Sequence, residues 1–255
     1  MEFKRLLECL DSDYARLHEV ALGADLAARV PSCPEWSVAD LVQHVGMVYL
    51  HKVECMRTGD HPHDWPPAQL QTEPPIGLIE RAYAELSAEF AARQPGDRAF
   101  TWYGPDQTVG FWIRRMAQET VIHRVDAELG AGVPIAEIPA DLAVDGIDEL
   151  LKVFVAYSVA EWAGYFTEIL AGSPGRTFAV RGDGAAWRVE TGPGLFAVAD
   201  GAGDEAADVT VSGPPAAVLR WAWNREGTGE PSAVTVEGAP EAVDELRRCI
   251  VTATQ

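Results

Sequence analysis

"RRMAQETVIHRVDAE", residues 114–128, reads as a helix with charge in the wrong place. Met116 and Ile122 flank a face that also carries Arg115, Glu119, His123 and Asp126. Residues three and four apart stack on one side of a helix, so Glu119 and His123 lie one turn apart on that face. A carboxylate and an imidazole on an apolar-flanked stripe are costly to bury unless something binds them. A metal ion is one such partner, and the stretch therefore poses two questions: what the helix packs against, and whether another element brings a third donor.

Working outward, the amino-terminal half is helical by pattern. Leu6, Leu7, Leu10, Tyr14, Leu17, Val20 and Ala21 recur at amphipathic spacing. "VPSCPEW", residues 30–36, interrupts with two prolines. Ser37 is then a good N-cap with Asp40 as the acidic half of a capping box, and Trp36 is expected to staple onto Leu41. A second helix runs from Val38 to Gly59, a third over about Ile76–Arg93 and a fourth over about Val109–Leu129, ending at "GAG". Four long helices predict a four-helix bundle with crossovers.

The second half opens at Pro139 with one long helix expected over Asp141 to about Leu170. Short alternating segments follow, "RTFAVRGD", "AAWRVETG", "GLFAVAD", "ADVTVSG" and "SAVTVEG", rich in β-branched and aromatic residues and bounded by Gly, Asp and Pro. "PPAAVLRWAWNREG" and "APEAVDELRRCIVTA" read as helices. The fold class is thus α followed by α+β: a bundle over residues 1–135, then a smaller domain over 136–255 whose mainly antiparallel meander sheet is packed by helices.

A net charge of −19, with 17 Arg and 3 Lys, excludes nucleic acid and anionic membrane as expected partners, because both reward basic patches. No apolar run reaches the roughly 18 residues of a membrane span, and the charged start "MEFKRLLECLDSDYARL" is no signal peptide, so a cytoplasmic location is expected. Cys9, Cys33, Cys55 and Cys249 have no paired spacing, and none is expected beside a histidine as a thiolate nucleophile is.

The third donor comes from the second helix. His44 has Leu41, Val45 and Val48 as neighbours and points toward the bundle core. His44, Glu119 and His123 make two imidazoles and one carboxylate, the donor set of a catalytic zinc with a position left open. His51 is a rival that solvent exposure explains better, His61 and His63 read as loop surface, and Trp65, Trp102, Tyr103 and Trp112 line a pocket or simply pack.

"VPSCPEWSVADLVQHVGMVYLH" and "FWIRRMAQETVIHRVDAE" resemble, in order and spacing, paired motifs of the mycothiol-dependent maleylpyruvate isomerase family, a DinB-like branch of metal proteins. "PADLAVDGIDELL" resembles its interdomain junction, and "VTVSGPPAAVLRWAWNREG" its carboxy-terminal module, which is similar to sterol-carrier-protein folds. Glu35 departs from the glycine common there. The resemblance places the family's zinc ligands on His44, Glu119 and His123, and its arginine after the tryptophan-rich helix on Arg225. Arg225 is then a candidate catalytic and cosubstrate-binding residue, since a guanidinium grips a carboxylate at two points; a plain helix-terminal cation is the competing reading. The implied cofactors are zinc or another divalent metal, with mycothiol as cosubstrate, and the implied partner is a small electrophile, for S-transfer or cis–trans isomerisation. Asp126 and Arg115 are candidates to orient the ligands. Zinc-bound water in a hydrolase or lyase, or a structural zinc in a binding module, are the other readings.

Overall fold

A computed structural model describes residues 1–201, 206–226 and 232–254, and divides the chain into two compact units, Met1–Ala136 and Glu137–Gln255.

In the first unit, helices α1 (Phe3–Gly23), α2 (Val38–Thr58), α3 (Pro75–Ala92) and α4 (Val109–Ala131) form the bundle. Local chemistry sets their ends. The Ser37 hydroxyl accepts from the Asp40 N–H while the Asp40 carboxylate accepts from the Ser37 N–H, a complete capping box. Gly59 closes α2 in the left-handed region, φ 71°. Thr108 caps α4, which stops at Gly132 rather than at Gly130. Gly46 is where α2 meets α3: a Cβ there would stand 2.9 Å from the Leu78 Cγ and 3.3 Å from the Ile79 backbone.

Helix α4 is buried around almost its whole girth, although its sequence is charged. Its charges are paired inside. Arg124 donates to Asp13 Oδ1 at 3.0 Å, to Glu128 Oε2 at 2.7 Å and to the Ala136 carbonyl at 2.9 Å. Glu128 also accepts from Arg16 Nε at 2.9 Å. This network explains why no apolar stripe marks α4: a buried charge survives when its partners are built around it. The proline break before α2 folds as a small hairpin, β1 (Arg29–Val30) against β2 (Cys33–Ser37). Residues 99–103, "AFTWY", are irregular, and a bridge between Arg98 and Thr108 flanks them.

The second unit starts with α5 (Ala140–Asp148), continues through a π-helical stretch Glu149–Ala156 and ends in α6 (Tyr157–Glu161). The single helix expected to Leu170 is broken: Trp162 leaves helical geometry, Ala163–Phe166 forms a 3-10 turn, and α7 (Thr167–Leu170) is one turn long. Glu161 to Tyr165 are exposed, so no buried face repays the cost of carrying the helix through Gly164. The sheet has the order β5-β4-β3-β6-β7, from β3 (Arg176–Gly182), β4 (Ala185–Gly192), β5 (Leu195–Asp200), β6 (Val209–Ser212) and β7 (Thr235–Gly238). Only β3 to β5 is a meander; β6 returns beside β3 in parallel, pairing Phe178 with Val209 and Val180 with Val211, all four buried. Helix α8 (Pro215–Ala222) ends before "WNREG", where Asn224 takes φ 57° and the Arg225 N–H reaches back to the Arg220 carbonyl at 2.7 Å, a helix stop that asparagine tolerates. Helix α9 (Pro240–Ala253) closes the unit.

Candidate metal centre

Helices α2 and α4 bring His44, Glu119 and His123 together, with one donor atom of each lying within 4.8 Å of the others. His44 Nε2 is 3.4 Å and His123 Nε2 is 3.2 Å from the same oxygen, Glu119 Oε1. Zinc bonds of about 2.0–2.2 Å put neighbouring donors of a tetrahedral ion about 3.3–3.6 Å apart. The two separations are close to those edges, which suits a divalent cation shared by the three residues.

A surrounding layer orients the donors. His123 Nδ1 donates to Asp126 Oδ2 at 2.9 Å, which leaves the Nε2 lone pair for a cation. Asp126 is fully buried and also accepts from the Ser32 hydroxyl, with Cys33 Sγ 3.9 Å from its other oxygen. The β1–β2 turn is thus a brace for the far side of the site. Arg115 Nη2 donates to Glu119 Oε2 at 2.6 Å. The Trp36 ring stands 4.7 Å from the His44 ring and 6.1 Å from the His123 ring. Burial works against charge at Glu119, but His123, the His44 contact and Arg115 hold it well below the usual carboxylate range. Burial likewise disfavours charge on His123, yet Glu119 and Asp126 bring it up to about 9. Without a cation the pair is held as imidazolium and carboxylate; a cation at Nε2 takes the place of that proton.

Family comparison covers both halves of the chain. The mycothiol maleylpyruvate isomerase N-terminal domain model matches residues 7–128, and the corresponding C-terminal domain model matches residues 141–245. The chain belongs to the mycothiol maleylpyruvate isomerase family. Among solved structures, the mycothiol-dependent maleylpyruvate isomerase superposes with a TM-score of 0.62 at 18% identity, over 94% of this chain and 96% of that one. A histidine-to-alanine mutant of mycothiol-dependent maleylpyruvate isomerase gives 0.60 at 16% identity over the same shares. At such identities the likeness is one of fold. No curated protein matches the chain in sequence.

Two members of the predicted histidine and cysteine set behave differently from expectation. His51 is half-buried rather than solvent-facing, and its ring packs edge-on against His61 at 5.3 Å and Trp65 at 5.2 Å. Cys55 does lie beside a histidine, with Sγ 3.5 Å from His51 Nδ1, because the two are one helical turn apart on α2. Burial pushes the Cys55 thiol up to about 11, so it is no ready thiolate. Trp112 is buried, donating to the Phe100 carbonyl at 2.8 Å, and Trp102 and Tyr103 pack on Phe111. Arg225, in the second unit, donates to the Trp223 carbonyl at 2.5 Å and lies 5.7 Å from that ring. The brace from Ser32 and the Trp36 ring were missed as site residues. Ser32 and Trp36 stood inside the quoted "VPSCPEW" motif.

Proposed function

We propose that this family member is an enzyme whose amino-terminal unit, residues 1–135, holds a zinc ion on His44, Glu119 and His123, and whose α+β unit, residues 136–255, carries Arg225 to bind a carboxylate of the cosubstrate. The observation that carries this reading is the convergence of two imidazole nitrogens on one carboxylate oxygen, at 3.4 and 3.2 Å, from two different helices. Bound zinc supplies Lewis acidity: three protein donors leave it a further position, where a thiol is held as thiolate.

The chain's own residues set up that chemistry. Asp126 keeps the His123 proton on Nδ1, so Nε2 faces the site. Arg115 pins one Glu119 oxygen and leaves the other between the histidines. Burial keeps the Cys55 and Cys249 thiols protonated. That agrees with a sulfur nucleophile arriving from mycothiol, named in the relatives of this fold. The reaction class is attack of that thiolate on a small electrophile, ending in S-transfer or in addition, bond rotation and elimination with cis–trans isomerisation. Among the described residues no helix is long and apolar enough to cross a membrane, and we place the reaction in the cytoplasm.

The test is elemental analysis of purified protein and of His44→Ala, followed by a mycothiol assay against a panel of electrophiles. Near one zinc per chain is expected for the native protein and far less for the variant. His44 is 34% exposed at its side chain, so its loss leaves the bundle folded. Absence of metal from native protein refutes the reading; turnover independent of thiol replaces it with metal-activated water.

A further inference from the structure

The two imidazoles of the centre are held in different ways. His123 has a carboxylate beside each ring nitrogen: Nδ1 lies 2.9 Å from Asp126 Oδ2 and Nε2 lies 3.2 Å from Glu119 Oε1. His44 has one only, at Nε2, 3.4 Å from Glu119 Oε1. Among the described residues, none hydrogen-bonds His44 Nδ1. A metal-ligating imidazole is ordinarily fixed through the nitrogen that does not meet the metal. His44 lacks that fixing, and its side chain is 34% exposed against 11% for His123.

What His44 has instead is a ring. The Trp36 and His44 centroids are 4.7 Å apart with their planes at 43°, inside the range of about 4.5–7 Å over which aromatic pairs attract. Its other ring contact is His123, edge-on at 5.1 Å. Local structure puts the indole there. Trp36 stands in β2 immediately before Ser37, whose capping box fixes the start of α2. Arg29 Nη1 donates to the Glu35 carbonyl at 3.0 Å, and the Val38 N–H donates to the Ala28 carbonyl at 2.9 Å, which ties the hairpin down on both sides of the ring. His44 lies two turns into α2, and helical side chains lean toward the helix amino terminus, so its ring tilts back toward the indole. The turn of the same hairpin carries Ser32, which donates to Asp126 behind His123. One short hairpin therefore serves both imidazoles, one through hydrogen bonds and the other through ring packing.

We propose that Trp36 is the positioning residue of His44: its indole supplies by packing the orientation that a hydrogen bond at Nδ1 would give, and the zinc affinity of the centre depends on it. This rests on the reading of His44, Glu119 and His123 as a zinc site. Without the ring, the His44 side chain samples several rotamers, and that freedom is lost only when zinc binds, which weakens binding.

The test is zinc affinity, by chelator competition, of native protein, Trp36→Phe and Trp36→Met, with circular dichroism as the check on folding. Trp36→Met removes the ring and should bind zinc about three- to tenfold more weakly, the contribution of one aromatic pair. Trp36→Phe keeps a ring and should stay within about twofold of native. In a His44→Ala background, read with a weaker chelator, Trp36→Met should have no further effect, because the partner is already gone. Equal affinity in native protein and Trp36→Met, a Trp36→Phe protein as weak as Trp36→Met, or an undiminished loss in the His44→Ala background overturns the proposal. Proton magnetic resonance of metal-free native protein gives a reading that does not depend on any Trp36 variant folding. The His44 ring protons, identified by their loss in His44→Ala, should be moved upfield by the indole, and unshifted protons overturn the packing itself. Native protein that binds no zinc while showing that upfield shift sinks the metal centre, whereas native-like zinc binding by Trp36→Met sinks only the role of Trp36.

Discussion

Replacing Asp126 by Asn changes one oxygen to an amide nitrogen in a fully buried position, and it should weaken zinc binding in a pH-dependent way. Two effects oppose each other. The variant loses the negative charge behind His123, whose Nδ1 proton lies 2.9 Å from Asp126 Oδ2. Charge-assisted hydrogen bonds contribute about 1.5–3 kcal/mol and neutral ones about 0.5–1.5, and loss of such an orienting partner lowers metal affinity about 10- to 100-fold. Against this, His123 is brought up to about 9 in the metal-free site, so at pH 7 zinc must displace a proton. Two pH units of competition amount to about 2.7 kcal/mol. Asp126 is one source of that basicity, and its neutralisation eases the competition. At pH 7 the two effects partly cancel, whereas at pH 9.5 the proton is mostly gone and most of the loss shows. Zinc affinity is measured by competition with a chromogenic chelator at both pH values, with circular dichroism as the check on folding. The expected result is a 10- to 100-fold weaker Kd at pH 9.5 and a smaller loss at pH 7. A folded Asp126→Asn protein with native affinity at pH 9.5 would refute the orienting role.

Asp13 is raised to about 6, chiefly by burial, with Arg124 opposing. A carboxyl whose folded pKa exceeds its unfolded value near 3.8 favours the fold most when protonated, so its contribution is fullest below about pH 4 and is lost as pH rises through 6. The stability difference between native protein and Asp13→Asn, read by urea denaturation, should therefore shift in favour of the variant between pH 4 and 7, by up to about 3 kcal/mol; a flat difference contradicts this. Gly46→Val should destabilise by about 1–3 kcal/mol through overpacking at the α2–α3 contact, visible as a lowered urea midpoint, with no change as the contrary result. Arg225→Gln should raise the KM for mycothiol about tenfold or more while thermal stability holds, as expected for loss of a charge-assisted contact; an unchanged KM returns Arg225 to a helix-end cation.

What the sequence determined by itself is what neighbours along the chain decide. The capping box of Ser37 and Asp40, the stop at Gly59 and the one-turn separation of Glu119 and His123 all involve residues within a few positions, where backbone geometry leaves little choice. The alternating strands of the second unit were legible for the same reason. The continuous helix to Leu170 failed because periodicity reports only that a face could be buried, and the residues around Trp162 are exposed. Tertiary structure alone decided the rest. The brace from Ser32 to Asp126 spans 94 positions and the pairing of Arg124 with Asp13 spans 111. Whether a buried charge is compensated depends on such distant partners, and local pattern holds no record of them.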